Sequence, residues 1–363
     1  MNEVLAEQLR PAYSRVALFR GQAGITVDDV LAFGWFLGEL TAPWRELLAA
    51  VACEECAGES DLEADNESLT SMLEEFRYER ELLTVEETER WLAARDLTED
   101  DLSDYLVRRY WRENPPGSAR AEDLNYLESS PELREMLRAE LLFSGKFDRL
   151  TRSIGWRLAG LPDQGEVEAS PEILSDERAR FFGRTELDVA SLPEALQQLN
   201  RKPEWLEECL RMEASYRRTC DALLTNEARA RTLAVMRLPL TRVIIESLTL
   251  RSGNAAQEAV LCLTEKRLTT AELAKECGSC WEREELFLQD CETSLQQELL
   301  SAAPGEVLAP KQGEQGFLVT RIDAKKDPEL KNNEVRARID RHLLKSHFSE
   351  LASRNIRWVL GEP

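Results

Sequence analysis

Apolar residues recur at three- and four-residue spacing through the first two thirds of the chain, the period of helices with one packed and one wet face. Two hydroxyl and carboxylate pairs, Thr84 with Glu87 and Thr98 with Asp101, stand where side chains satisfy the free N–H groups of a helix start. After the second pair, Leu102, Tyr105, Leu106, Arg109 and Tyr110 fall on one face. A longer helix is predicted from Ser130-Pro131, with the stripe Leu133, Leu137, Phe143, Phe147, Leu150, Ile154 and Leu158 and an end near Gly160-Leu161-Pro162. From Asp163 to Asp176 the chain mixes Pro, Gly, Glu and Ser without a period and reads as a linker. Beyond it, Phe181 to Arg218 echoes Phe76 to Arg109: an arginine near the start, a short capped helix, a turn, then an amphipathic helix. Its last helix carries Trp205, Leu206, Cys209, Leu210 and Tyr216. A duplication and the general likeness of any two helical hairpins both account for the echo.

After Leu238-Pro239-Leu240 the pattern changes. Val243-Ile244-Ile245 and Ser247-Leu248-Thr249-Leu250 predict a strand, followed by helices over 254–263 and 269–276, the second with the capping pair Thr269 and Glu272. A turn at Gly313 to Gly316 precedes a strand from Phe317 to Ile322. A final helix carries Val335, Ile339, Leu343, Leu344 and Leu351, and Ile356 to Leu360 reads as a terminal strand. The fold class is therefore mainly α with a C-terminal α+β domain. Four segments follow: a helical N-terminal lobe (1–162), a linker and second helical block (163–239), an α+β domain (240–326), and a C-terminal helix and strand (327–363).

Charge narrows the function. The 363 residues carry 46 basic and 68 acidic side chains, a net charge of −22, so a phosphate backbone is repelled and no nucleic acid partner is expected. The apolar run Val30 to Leu37 is far shorter than the ~20 residues that cross a bilayer, so no membrane is expected. Met1 to Glu7 lacks the basic start and apolar run of an export signal, which predicts a cytoplasmic protein whose eight cysteines remain thiols. Cys53 with Cys56 and Cys277 with Cys280 have the local spacing of a zinc site, yet the pairs are far apart in sequence and acidic neighbours of Cys53 and Cys56 disfavour thiolates, so no metal is expected; a redox pair would follow a strand, whereas Cys277 and Cys280 follow a helix, so structural thiols are expected. His342 and His347 lie five apart on the last helix, off a common face. Neither a glycine-rich phosphate loop nor a Gly-x-Ser-x-Gly elbow is present, and no cofactor is expected. Trp91 and Trp205 are expected to pack in cores. The acid-rich stretch Glu54 to Asp104 reads as a solvated face or, more sharply, as an attraction for a basic peptide or enzyme.

One stretch carries a family resemblance. The succession of strand, helix, short helix with Ala271-Glu272-Leu273-Ala274, helix running into Pro304-Gly305-Glu306-Val307, and strand Gly316-Phe317-Leu318-Val319-Thr320-Arg321-Ile322 resembles the parvulin family of peptidyl-prolyl isomerases. The resemblance covers roughly 240–326 by motif and the helical lobe by pattern. It implies a helical N-terminal lobe, a parvulin-like small sheet and a closing C-terminal helix. Parvulins carry one histidine in the first strand and another after the Gly-Phe of the last; here those positions are Ser247 and Leu318. The apolar pocket positions fall at Cys291 and Leu295, where the family prefers methionine and phenylalanine, and Cys280-Trp281-Glu282-Arg283 replaces its glycine-rich segment.

The resemblance thus implies no catalytic residues. It implies a peptide-binding site of Ser247, Leu248, Cys291, Leu295, Phe317 and Leu318, at which an extended peptide lies along an edge of the sheet formed by Val243 to Leu250 and Phe317 to Ile322. The chain is also similar to accessory peptide-binding proteins of ribosomal natural-product pathways, the crocagin type included. That similarity implies a protein holding a ribosomal precursor peptide in extended form for modifying enzymes, with that peptide and those enzymes as partners. The alternatives are a cytosolic prolyl isomerase or chaperone, using Ser247 or Cys291, and a zinc-stabilised adaptor. The terminal strand completes a sheet within the chain or between chains, so a homo- or hetero-oligomer remains open.

Overall fold

The computed structural model describes residues 13–117, 119–120, 124–162, 170–313 and 316–360. Met1 to Glu7 and residues 163–169 of the expected linker lie outside them. In chain order the elements are β1 (Val16–Arg20), β2 (Ala23–Thr26), α1 (Val27–Phe36), α2 (Thr41–Glu59), α3 (Asn66–Glu79), α4 (Val85–Ala93), α5 (Glu99–Glu113), α6 (Pro131–Phe143), α7 (Lys146–Ala159), α8 (Pro171–Thr185), α9 (Leu192–Gln198) and α10 (Pro203–Leu223). There follow α11 (Asn226–Val235), β3 (Arg242–Leu250), α12 (Gly253–Thr264), α13 (Thr270–Cys277), β4 (Trp281–Phe287), α14 (Thr293–Ser301), β5 (Lys311–Gly313), β6 (Gly316–Lys326), α15 (Asn333–Asn355) and β7 (Ile356–Trp358). The chain is mainly α with a C-terminal α+β region. It divides into two units: Asp221–Lys345 form the second, and the residues before and after it form the first. The expected lobe and most of the second helical block therefore fall in one unit, and the C-terminal segment is shared between the two.

The first unit is a helical assembly around Phe36, Phe76, Phe143, Phe147 and Phe181, each at most 1% exposed. The single long helix expected from Ser130 is two. Gly145, in the left-handed region at φ 68°, ends one helix and opens the next, a bend open to a residue without Cβ. The stripe runs on across it because α6 and α7 both pack on the same core, so periodicity conceals the break. The expected linker is shorter too, since Ser170 caps α8 at Pro171 with its hydroxyl accepting from the Ile173 N–H.

The echoed hairpins share a geometry. Positive φ occurs at Glu81 and Asp96 in one and at Glu186 and Asn200 in the other. The Leu97 N–H bonds the Leu92 carbonyl at 3.0 Å, as Arg201 does Leu196 at 2.8 Å, the same helix-ending reverse turn in both. Trp91 and Trp205 pack partly buried against the core, as expected of large aromatics. A small antiparallel sheet in the order β2-β1-β7 was not expected at its N-terminal strands. The terminal strand completes it within the chain, with Leu18 opposite Trp358.

The second unit is built on a four-stranded antiparallel sheet in the order β4-β3-β6-β5. Its elements follow the succession that the parvulin resemblance implies, with the edge strand β4 added where Cys280-Trp281-Glu282-Arg283 had signalled only a replaced loop. α12 and α13 cover one sheet face, closing a core of Leu248, Leu250, Ala256, Ala259, Leu263, Leu273 and Val319. On the other face α14 and the Leu288 turn bury Val243, Ile245, Leu299 and Ile322. α15 adds Val335 and Ile339 to Leu240 and Phe287, with the Arg338 guanidinium 3.9 Å above the Phe287 ring.

Candidate peptide-binding face

Side chains alternate across a strand, so neighbours in sequence cannot share a face. This divides the six expected residues. Between residues 245 and 250 of β3, Ile245, Ser247 and Thr249 point one way, paired across to Ile322, Thr320 and Leu318 of β6. Leu248 and Phe317 point the other way, beneath α12 and α13; Leu248 is fully buried and Phe317 packs on the same cluster. These two are corrected from ligand contacts to supports of the sheet. Cys291 and Leu295 pack partly buried on the cluster of Val243, Ile245 and Ile322. Ser247, Leu318, Cys291 and Leu295 thus share one face, Ser247 lying diagonal to Leu318 across the β3–β6 ladder.

That face is half closed. α14 covers its lower part, tied down by Lys311 Nζ to Glu298 Oε2 at 3.0 Å and by Lys325 Nζ to the Leu300 carbonyl at 3.0 Å. Its upper part carries Ser247, Thr249 and Leu318, the last 38% exposed, with Lys311 opposite Leu318 on β5. An aliphatic group among hydroxyls and a cation suits the side chain of an extended segment. Thr249 and Lys311 are the members that sequence reading missed. Period-two alternation from Ser247 would have found Thr249; Lys311 depends on register alone.

The edge assignment is also corrected. β3 lies between β4 and β6, so its backbone groups are paired on both sides. β6 is paired to β5 at one end, and further along Pro304-Gly305-Glu306-Val307-Leu308 covers its outer side: Leu308 N–H to Thr320 O is 2.8 Å, Ile322 N–H to Glu306 O 2.9 Å, and Gly305 N–H to Ile322 O 2.6 Å. The Pro-Gly-Glu-Val turn thus closes the edge that was expected to receive a peptide. The outer side of β4 remains, where Glu282, Arg283, Glu284 and Glu285 are exposed, the charged dress that discourages strand addition.

Titratable groups near the face are few. Burial pushes the Cys291 thiol up, the Asp290 carboxylate adds to this, and the Sγ contact to the Phe287 carbonyl at 3.5 Å suits a protonated thiol. Cys291 is a poor nucleophile for that reason. Both histidines lie on α15, His342 exposed and His347 beside Phe348. Cys277 and Cys280 are exposed, Cys53 is buried in α2 with its thiol pushed up by burial, and among the described residues no three metal-capable side chains gather.

Beside the face, hydrogen bonding from Arg338 holds the Asp290 carboxyl below its ordinary range. A carboxyl lowered in the folded state stabilises above its unfolded value of ~3.9 and loses that contribution as pH falls through the folded value. Asp290 is 48% exposed, so the effect is small. Asp290→Asn is expected to flatten the loss of stability on acidification below about pH 4; urea titrations across that range check it, and an unchanged slope would refute the coupling.

Fold and site together define a mainly helical protein with an α+β unit whose sheet leaves half of one face open. No protein-family model matches the chain, and no curated protein matches it. Among solved structures it is similar to the peptidylprolyl isomerase PrsA from Bacillus cereus, with 11% identity over 61% of this chain and 85% of that one and a TM-score of 0.35. PrsA from Bacillus anthracis matches with 13% identity over 57% of this chain and 95% of that one, TM-score 0.28. A third match, over 59% of this chain and 86% of the other, is one of the SurA-like chaperones of Campylobacter jejuni, with 11% identity and a TM-score of 0.19. No helix among the described residues is long and apolar enough to cross a membrane.

Proposed function

We propose that the second unit holds extended peptide segments on the open half of its sheet face, without catalysing a reaction. The observation that carries this is the asymmetry of the sheet: two helices bury one face, while the other presents exposed Leu318 beside Ser247 and Thr249 above the partly buried Cys291 and Leu295. An apolar contact framed by hydroxyls retains an extended segment through its alternate side chains. The absence of histidine at the two positions named by the parvulin resemblance, and a Cys291 thiol kept protonated, support retention over turnover. We further propose that the segment is a ribosomal precursor peptide, held in a cytoplasmic setting for modifying enzymes.

Leu318→Asp tests the site. It is expected to weaken binding of an unfolded, carboxymethylated reporter polypeptide at least ten-fold, about 1.4 kcal/mol, while leaving far-ultraviolet circular dichroism unchanged. Equal affinity of variant and wild type would sink the site. A proline-peptide isomerisation assay is expected to stay at the uncatalysed rate, and acceleration would overturn the non-catalytic reading. Affinity capture from extract of the native cell, followed by mass spectrometry, is expected to return one precursor peptide; a broad mixture of unfolded chains would replace the dedicated role with a general chaperone role.

A further inference from the structure

The first unit holds a second surface, unrelated to the sheet face. α3, α4 and α5 enclose a groove of about 530 Å³ floored by Leu69, Leu73, Leu102 and Leu106, with Val85 at its rim. Apolar exposure concentrates around it: Val85 is 57% exposed, and Leu83, in the loop leading into α4, is 75% exposed. The one cation in its lining, Arg77, is committed to backbone, its Nε donating to the Leu82 carbonyl at 3.2 Å and its Nη2 to the Leu83 carbonyl at 3.1 Å. Those bonds fix the loop that presents Leu83.

The surrounding charge is predominantly negative. Between positions 61 and 104 there are sixteen acidic residues and four basic ones. Glu67 and Glu74 on α3, Glu89 on α4 and Glu99 on α5 are exposed, and among the described residues none of the four has an ion-pair partner within 4 Å. An acidic face that served solubility alone would not need exposed Val85 and Leu83 within it, because such a patch favours association. An apolar floor with Glu99 in its lining, and with exposed Glu67, Glu74 and Glu89 on the helices that build it, is instead complementary to a segment with apolar residues on one side and cations on its flanks.

We propose that this groove docks a short amphipathic helix of a partner protein or peptide, apolar on one face and rich in lysine and arginine on the other. The three helices leave a trough between them, and a helix fills a trough by setting side chains at three- and four-residue spacing along its floor. The carboxylates set the orientation and raise the association rate, while the apolar contact holds the complex.

The test uses the full-length chain and three fluorescein-labelled synthetic peptides of fourteen residues. The first is an amphipathic leucine and lysine helix, the second has the same leucines with glutamate for lysine, and the third has the composition of the first in an order that destroys its apolar face. Saturable binding of the first is expected, at least ten-fold weaker binding of the other two, and a further ten-fold loss for the first on Val85→Asp. Val85 is exposed, so that variant is expected to fold, which circular dichroism verifies. Glu99→Lys is expected to weaken the first peptide and to reduce its salt dependence. Equal binding of the first and third peptides would overturn the proposal, leaving only unspecific attraction between opposite charges. Unchanged affinity in folded Val85→Asp would overturn it as well, and self-association of the wild type lost in that variant would assign the groove to a second copy of this chain. None of these outcomes involves Leu318, so failure here and failure of the sheet face are separable.

Discussion

Gly316→Ala is expected to destabilise the second unit by roughly 3 kcal/mol and to abolish the candidate peptide face with it. Gly316 opens β6 with φ 136°, a backbone region closed to side chains, and a Cβ there would lie 2.4 Å from the Leu250 carbonyl oxygen. The obstacle is backbone. Leu250 cannot retreat without giving up its pairing with Phe317, the first step of the register that sets Leu318 opposite Thr249 and Thr320 opposite Ser247. Gly313 serves as the control: its Cβ would meet nothing closer than 3.8 Å and its φ is not positive, so Gly313→Ala is expected to stay within about 1 kcal/mol of wild type. Urea unfolding gives the stabilities, and hydrogen exchange in β3 and β6 locates the loss. A Gly316→Ala protein with a wild-type midpoint would show that the β6 entry is not the constraint described.

In the first unit, Glu213→Ala is expected to cost about 3–5 kcal/mol. Glu213 is 3% exposed, and Arg157, 10% exposed, donates to both of its carboxylate oxygens while lying 4.2 Å over the Tyr216 ring. Arg217 approaches the same carboxylate at 3.5 Å. Two charges withdrawn from water repay their desolvation chiefly through each other, and deleting the carboxylate leaves the guanidinium with Ser153, whose carbonyl and hydroxyl accept from it at 3.1 and 2.7 Å, and the more distant Glu39 carboxylate. A fall in Tm on the order of 10 °C is the expected reading. The double substitution Arg157→Met with Glu213→Leu should recover most of that loss, because the cost lies in the stranded charge and not in the absent attraction. A double variant less stable than the single one would reverse this account.

These two effects differ in what could be foreseen. Helix starts were legible because capping is local: Thr84 with Glu87, Thr98 with Asp101 and Thr269 with Glu272 all form reciprocal caps from residues three apart. β3 and much of β6 were legible from β-branched composition. β4 was not, since an edge strand wet along its outer side tolerates Glu282, Arg283, Glu284 and Glu285 in succession and so shows no alternation. Gly145 leaves no mark on the apolar pattern, because the stripe serves two helices as well as one.

For the candidate face, sequence by itself determined which residues stand in the strands and helix that build it; that Ser247 and Leu318 stand at the histidine positions is what the parvulin resemblance implies. Alternation alone forbade Ser247 and Leu248, or Phe317 and Leu318, from sharing a face, although it did not say which of each pair faces outward. Tertiary structure decided that, through the placing of α12 and α13 over Leu248 and Phe317. It also decided that Pro304 to Leu308 closes the outer side of β6 and that Lys311 meets Leu318. The reason is physical: caps and strand propensity arise from neighbours along the chain, whereas register, sheet order and the choice of buried face are fixed by contacts between segments tens of residues apart.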